Sequence, residues 1–202
     1  LQSICHELWS RKYSTTLKTD LSYSSLDAFE TFPLIEANNR NLIDASREFF
    51  EIRLNLMSNL RMGITSLYNE YHRPTGNSII KELRDAQIQL DKAVLNEYGW
   101  NDITLSYTFQ DMDYLTGNNV MRYSVSENNR NEILKRLLLL NHERYEEEIK
   151  QGLHKRADVE KFYEQKGQPV PGGVVFSDGK GKSKTTRKKA APMEITPPAP
   201  HL

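Results

Sequence analysis

Residues 83–103, LRDAQIQLDKAVLNEYGWNDI, read as an amphipathic helix that stops at a Tyr-Gly-Trp turn. Leu83, Ala86, Leu90, Val94 and Tyr98 recur every three or four positions and so share one apolar face. Gly99 is the residue type that closes a helix in the left-handed region. Ser78 can cap the helix at its start, and Glu82 lies early in it, near the positive end of the dipole. Such a helix is stable in a protein when another element covers its apolar face. The chain offers candidates on both sides.

Upstream, residues 39–60 carry Leu42, Ile43, Phe49, Phe50, Ile52, Leu54, Leu56, Met57 and Leu60, a density that predicts a buried helix. Residues 64–71 predict a short helix, ended by Arg73-Pro74-Thr75-Gly76-Asn77. Downstream, a long helix is predicted over 126–150. Ile133, Leu137 and Leu140 form one stripe of it, with Leu134, Leu138, Tyr145 and Ile149 beside them. Its Glu143, Glu146, Glu147 and Glu148 read as a solvated face. A short polar helix at 156–165 follows. Residues 1–14 read as the end of a helix or a loop. Residues 15–23, rich in Thr, Ser, Leu and Tyr, read as one short strand. Pro33 biases Phe32 to an extended backbone. Residues 101–119 read as irregular and 121–125 as a further short strand.

The expected fold class is therefore mainly α: a helical bundle with a few short N-terminal and central strands and a disordered basic C-terminal tail. The expected divisions are 1–35, a helical domain at 36–165, and a Pro/Gly/Lys-rich tail at 166–202, too poor in apolar residues to fold.

Composition narrows the function classes. With 38% hydrophobic residues and a mean hydropathy of −0.66, the 202-residue chain suits a soluble protein with a modest core. No apolar run approaches the roughly 18 residues that a membrane span needs. There is no basic-then-apolar signal peptide, and the lone Cys5 has no internal disulfide partner, which fits a reducing cytoplasm. The chain opens on Leu1 rather than Met, as a piece of a longer polypeptide would. Charge is zero in sum but unevenly placed. From Lys166 onward there are seven Lys/Arg and two Asp/Glu, a net +5, which leaves 20 basic and 25 acidic residues, −5, before it. A self-sufficient DNA-binding domain is usually basic throughout. An acidic body suits a module that draws its affinity from a larger parent.

Several local patterns suggest chemistry without carrying it. Gly179-Lys180-Gly181-Lys182-Ser183 hints at a phosphate loop, but the motif needs a glycine where Phe176 stands. Glu148-Ile149-Lys150 matches a tripeptide of metal-dependent nucleases, yet it lies in a helix with no partner carboxylate upstream. His142 and Glu146 sit one helical turn apart and read as a surface pair, since a third ligand is missing. Lys180, Lys182, Lys184, Arg187, Lys188 and Lys189 form a run without acidic residues, open to two readings, a phosphate-binding arm or a solubilising tail.

Three segments taken together resemble a known family. They are HELWSRKYSTTLKTDLSYSSLDAFETFP at 6–33, GITSLYNEYHRP followed by LRDAQIQLDKAVLNEYGWNDI within 63–103, and RYSVSENNRNEILKRLLLLNHERYEEE at 122–148. In this order they are similar to the C-terminal part of large adenine-specific DNA methyltransferases, the type IIG-like restriction–modification enzymes and related phage-defence methyltransferases. The resemblance covers about 5–152. It implies a parent that uses S-adenosylmethionine (SAM) and flips an adenine out of the duplex to methylate its amino group. It also implies that 1–35 is the end of a target-recognition region. The family's catalytic Asn-Pro-Pro-Tyr and its glycine-rich cofactor motif are absent from this sequence, so no catalytic, cofactor-binding or metal residue is assigned and no cofactor is expected in this stretch itself.

The expected partners are double-stranded DNA and the catalytic methyltransferase domain of the parent chain, with no membrane. Arg11, Lys12 and Lys18 are the first candidates for phosphate contacts, alongside the six basic residues of the tail; ordinary surface charge is the competing explanation for the first three. Tyr68, Tyr98 and Trp100 read as packing anchors. The leading functional expectation is a non-catalytic fragment that serves DNA recognition and domain packing. The alternative is a helical protein-interaction module that docks a methyltransferase or defence partner.

Overall fold

A computed structural model of the chain describes residues 1–17, 20–35, 39–74, 78–112, 115 and 120–178. In chain order, α1 (Ile4–Tyr13) leads into a hairpin of β1 (Thr15–Leu17) and β2 (Asp20–Ser22), then a single π-helical turn (Ser25–Phe29). Next come α2 (Arg40–Asn59), α3 (Ile64–Tyr71) and α4 (Ser78–Glu97). A second antiparallel pair, β3 (Tyr107–Asp111) and β4 (Met121–Val125), precedes α5 (Glu127–Lys150) and α6 (Arg156–Gln165). The protein is mainly helical, as its periodicity predicts.

The helix at the centre of the sequence reading is also at the centre of the bundle. Leu83, Ala86, Leu90 and Val94 of α4 are buried, and α2 packs along this helix. Gly99 takes φ +74°, and the Trp100 N–H reaches back to the Leu95 carbonyl at 2.9 Å, closing the helix with a left-handed turn. At the start of α5 the Ser126 hydroxyl accepts the Asn129 N–H at 3.4 Å. Ile133 and Leu137 then point into the same core as α4.

Residues 1–35 contribute to that core. Ile4, Cys5, Leu8 and Trp9 of α1 are buried in it, with Phe32. Polar contacts fix the segment around Thr31. The Trp9 indole N–H donates to the Thr31 hydroxyl at 3.2 Å, and the Asn141 side-chain amide donates to the Thr31 carbonyl at 2.7 Å. The Tyr98 hydroxyl donates to the Pro33 carbonyl at 2.9 Å.

Four features differ from the sequence reading. The expected strand at 15–23 is folded back on itself, with Thr15 opposite Ser22 and Leu17 opposite Asp20. Residues 107–111, read as irregular, form β3, in register from Tyr107 opposite Val125 to Asp111 opposite Met121. Their pairing depends on a distant strand and on rings that meet across it: Phe109 lies 4.9 Å and Tyr107 5.4 Å from Tyr123. In α2 only one apolar face is covered: Leu42, Phe49 and Leu56 are buried, whereas Ile43, Phe50 and Leu54 are 42%, 49% and 46% exposed. Finally, packed structure continues past Gly167. Val170, Val174 and Phe176 lie against Tyr145, Ile149, Val159, Phe162 and Tyr163 in a second small core. Gly152, at φ +71°, lets Val175 approach; a Cβ there would stand 3.3 Å from a Val175 methyl. Three apolar side chains spaced through a Pro/Gly-rich stretch suffice because α5 and α6 already present a surface. The tail from 179 onward lies outside the described residues. Among the described residues no helix is long and apolar enough to cross a membrane.

Leu90→Ala is expected to cost about 2–5 kcal/mol, as cavity-forming core truncations do. Leu54→Ala, on the exposed face of α2, should stay within about 0.5 kcal/mol. Urea denaturation of the two variants checks the helix phase: equal midpoints would contradict it.

Candidate functional site

The α4 sequence places two polar residues, Gln87 and Asp91, within the arc that the helix buries. Asp91 is fully buried beside Leu90 and Val94. One of its oxygens accepts the Ile4 N–H at 2.6 Å; the other accepts the Gln87 side-chain amide at 3.0 Å and the Tyr107 hydroxyl. Ile4 is the first residue of α1, and Ser3 before it makes no side-chain cap. The helix is therefore capped by a carboxylate 87 positions away in sequence. Burial pushes the Asp91 carboxyl up to about 7. Its hydrogen bonds with Tyr107, Ile4 and Gln87 pull the other way, and the charge of Glu7 adds to the rise. Burial, and then the charge of Asp91, keep the Tyr71 and Tyr107 hydroxyls well above the ordinary phenol range.

Across from Asp91, His72 ends α3. Its Nδ1 accepts the Tyr123 N–H at 3.2 Å, which leaves the ring hydrogen on Nε2. Burial lowers its pKa to about 4, helped by the positive charges of Arg122, Arg11 and Arg84, so the ring is neutral at physiological pH. Arg84 fastens the end of α3 to the second sheet. It donates to the carbonyls of Tyr71 at 3.0 Å and Arg73 at 2.9 Å, while its guanidinium lies 4.9 Å from the Phe109 ring centre and 5.2 Å from that of Tyr123.

These groups surround a pocket of about 240 Å³ between α1, α3, α4 and the β3–β4 pair. Asp91, Ile4, Tyr71 and Ser124 form its buried part; Glu7, Arg11, Tyr68, His72 and Gln87 are among the more accessible residues around it. It offers carboxylates, a neutral imidazole N–H, phenol rings and one guanidinium. Among the described residues no group of three His, Cys, Asp or Glu is placed to hold a metal ion.

Of the candidate phosphate contacts, the structure brings Arg11 to this pocket. Its Nε lies 2.9 Å from the Glu7 carboxylate. Lys12 is exposed beside it. Both stand in the last turn of α1, where cations meet the negative end of the helix dipole. Lys18, Lys180, Lys182, Lys184, Arg187, Lys188 and Lys189 lie outside the described residues, as does the Gly179–Ser183 pattern. The pair read at His142 and Glu146 is not a surface pair. His142 is buried edge-on to Phe162, with ring centres 5.7 Å apart, and Glu146 holds Lys166. Glu148 likewise leaves the solvated face to bind the buried His154 at 2.8 Å. Tyr98 and Trp100 are packing anchors, stacked 4.5 Å apart against the core, and Tyr68 packs against the core while it lines the pocket.

Sequence reasoning missed Asp91, Gln87, Tyr71, His72 and Tyr107. Two polar residues on the apolar face of α4 were the available signal.

The two perturbed groups act in opposite directions on stability. The raised Asp91 stabilises the fold fully below the unfolded carboxyl value near 3.8, and this is lost as pH rises through about 7. The lowered His72 is stabilising above its unfolded value near 6.5, and this is lost as pH falls through about 4. Asp91→Asn should therefore remove the loss of stability on going from pH 5 to pH 8, measured by urea denaturation; an unchanged pH profile would place the titration elsewhere. In comparisons with known protein families, curated proteins and solved structures, nothing matches the chain.

Proposed function

We propose that this chain is the non-catalytic C-terminal part of a SAM-dependent, site-specific DNA adenine methyltransferase of a restriction–modification or phage-defence system, acting in the cytoplasm. Its role is to pack the end of the target-recognition region onto a helical bundle and to contribute phosphate contacts. One observation carries this reading: the three segments that bear the resemblance meet in a single core. Trp9 and Phe32 come from the first, Leu90 and Leu95 from the second, Ile133 and Leu137 from the third. The Asn141–Thr31 and Tyr98–Pro33 hydrogen bonds join them. Segments that serve one packing unit support one origin for the whole stretch better than three chance likenesses do. In this reading the parent's catalytic domain supplies the SAM site, and duplex DNA is the shared partner.

A second reading, a helical module that docks a methyltransferase or defence protein, is favoured by α2. Ile43, Phe50 and Leu54 recur at helical spacing on its solvent side. The coding sequence upstream of Leu1 separates the two. An open frame encoding Asn-Pro-Pro-Tyr supports the methyltransferase parent; a start codon near Leu1 supports the docking module.

The isolated chain is expected neither to bind SAM nor to transfer its methyl group to mixed-sequence duplex. Calorimetry and a labelled-methyl assay test this, and saturable micromolar SAM binding would overturn it.

DNA affinity is expected to depend on the basic run from Lys180 to Lys189. Because 170–176 pack into the second core, the cut belongs after Asp178. Removing 179–202 should leave the melting temperature nearly unchanged, weaken duplex binding, and flatten the slope of log affinity against log salt by about 0.9 per lost phosphate contact. Equal affinity and slope with and without the tail would move the contacts to Arg11, Lys12 and Lys18.

A further inference from the structure

Helix α2 carries two apolar faces, and its own fold covers one. Leu42, Phe49 and Leu56 are buried in the core, while Ile43, Phe50 and Leu54 are exposed. At 3.6 residues per turn the exposed face lies about 130° round the helix from the buried one. Arg47 is exposed in line with it, so that 43, 47, 50 and 54 form a stripe about 60° wide. Steps of four, three and four residues are those of a seam along which two helices pack side by side. Phe50 and Ser46 also border an apolar groove of about 330 Å³, with Leu34 and Ile35, which extends the apolar surface on one flank of the stripe.

The order of side chains along the stripe selects what can cover it. Its steps are the same read from either end. A second α2 laid antiparallel, with a two-fold axis midway between 47 and 50, therefore meets the first in register. Ile43 of each copy then faces Leu54 of the other, and Arg47 faces Phe50, a guanidinium over a ring. Glu51 is exposed on the same flank of the stripe as Arg47. It comes opposite position 46 of the other copy, within reach of that copy's Arg47. A parallel pair instead sets Arg47 against Arg47 and Arg40 against Arg40, and like charges disfavour it. Arg47 lies 3.9 Å from Asp44 of its own helix, with the two side chains 65% and 56% exposed. A guanidinium has a flat face as well as its edge donors, so it keeps that contact while a ring packs on it.

We propose that two copies of this chain associate through α2, antiparallel about a two-fold axis between Arg47 and Phe50. The proposal is independent of the methyltransferase reading, and it assigns to self-association the face on which the docking-module reading draws. The contact is one helix about 30 Å long with the edge of the groove beside it. That places it below the roughly 1,200 Å² of stable complexes, so the dimer is reversible and forms with rising concentration.

Sedimentation equilibrium of the full chain across the micromolar range tests the association, with a monomer–dimer equilibrium as the expected result. Phe50→Glu should weaken it about tenfold or more, as loss of a central aromatic contact does. Arg47→Glu should weaken it too, by setting acid against Glu51 of the other copy. The double variant Arg47→Glu/Glu51→Arg should restore it, because the charges exchange places across the axis. All three positions are exposed, so melting temperatures taken at dilution should stay near that of the unaltered chain. The direction of packing has its own readout. An equimolar mixture of Ile43→Cys and Leu54→Cys should form the mixed disulfide on oxidation, while Cys5 is buried and does not compete. Neither variant should link to itself, since position 43 of one copy lies about 16 Å along the axis from position 43 of the other. A chain that stays monomeric throughout, or a dimer indifferent to Phe50→Glu, overturns the proposal. So does Ile43→Cys linked to itself, the mark of parallel pairing, or a double variant that fails to recover the dimer.

Discussion

The buried carboxylate of Asp91 is the constraint on which the arrangement of this protein turns. A carboxylate without solvent is costly unless its lone pairs are used. Here its donors come from three elements: the first amide of α1, Gln87 on its own helix and the Tyr107 hydroxyl on β3. Satisfying that one side chain therefore sets where α1 starts and where the second sheet meets the bundle. It also explains why α1 needs no local cap from Ser3. Losing the Ile4 N–H would leave one buried oxygen unpaired, and losing Gln87 or Tyr107 would leave the other with a single donor, so the three elements are coupled more tightly than their apolar contacts alone would make them.

The same constraint shapes the pocket above it. Asp91 and Glu7 bring carboxylates to it, and Arg122, Arg11 and Arg84 lie near enough to His72 to oppose its protonation. Arg84 has a structural part, since its donors are directed at the carbonyls of Tyr71, Glu70 and Arg73. Arg11, one turn along α1 from Glu7, forms an ion pair with it at 2.9 Å. The acidic body of the chain thus contains a local region of positive potential that net charge conceals.

The bundle also carries surface that its own fold leaves uncovered. Ile43, Phe50 and Leu54 give α2 a second apolar face, and Leu34 and Leu1 are exposed as well. In a protein with a modest core this is apolar area that a larger assembly would bury. It is compatible with either functional reading, since both place another domain or protein against this chain.

The helical class, the position of α4 and its closure at Gly99 were legible in the sequence, because they follow from periodicity and from one residue's tolerance of positive φ. The long α5 was legible from its apolar stripes, whereas its Ser126 cap was not singled out beforehand. Local patterns did not show which apolar residues of α2 would be covered. Ile43 and Leu42 are equally apolar, and only the placement of α4 decides between them. Nor did they show β3, whose partner strand begins ten residues further on, or the packing of Val170, Val174 and Phe176, which need the surface that α5 and α6 create. The pocket was the least legible feature. Asp91, Tyr107, His72 and Glu7 are scattered along the chain, and each alone looks ordinary. Their chemistry arises when burial removes water from Asp91 and brings the charge of three arginines to bear on His72, and only the tertiary structure does both.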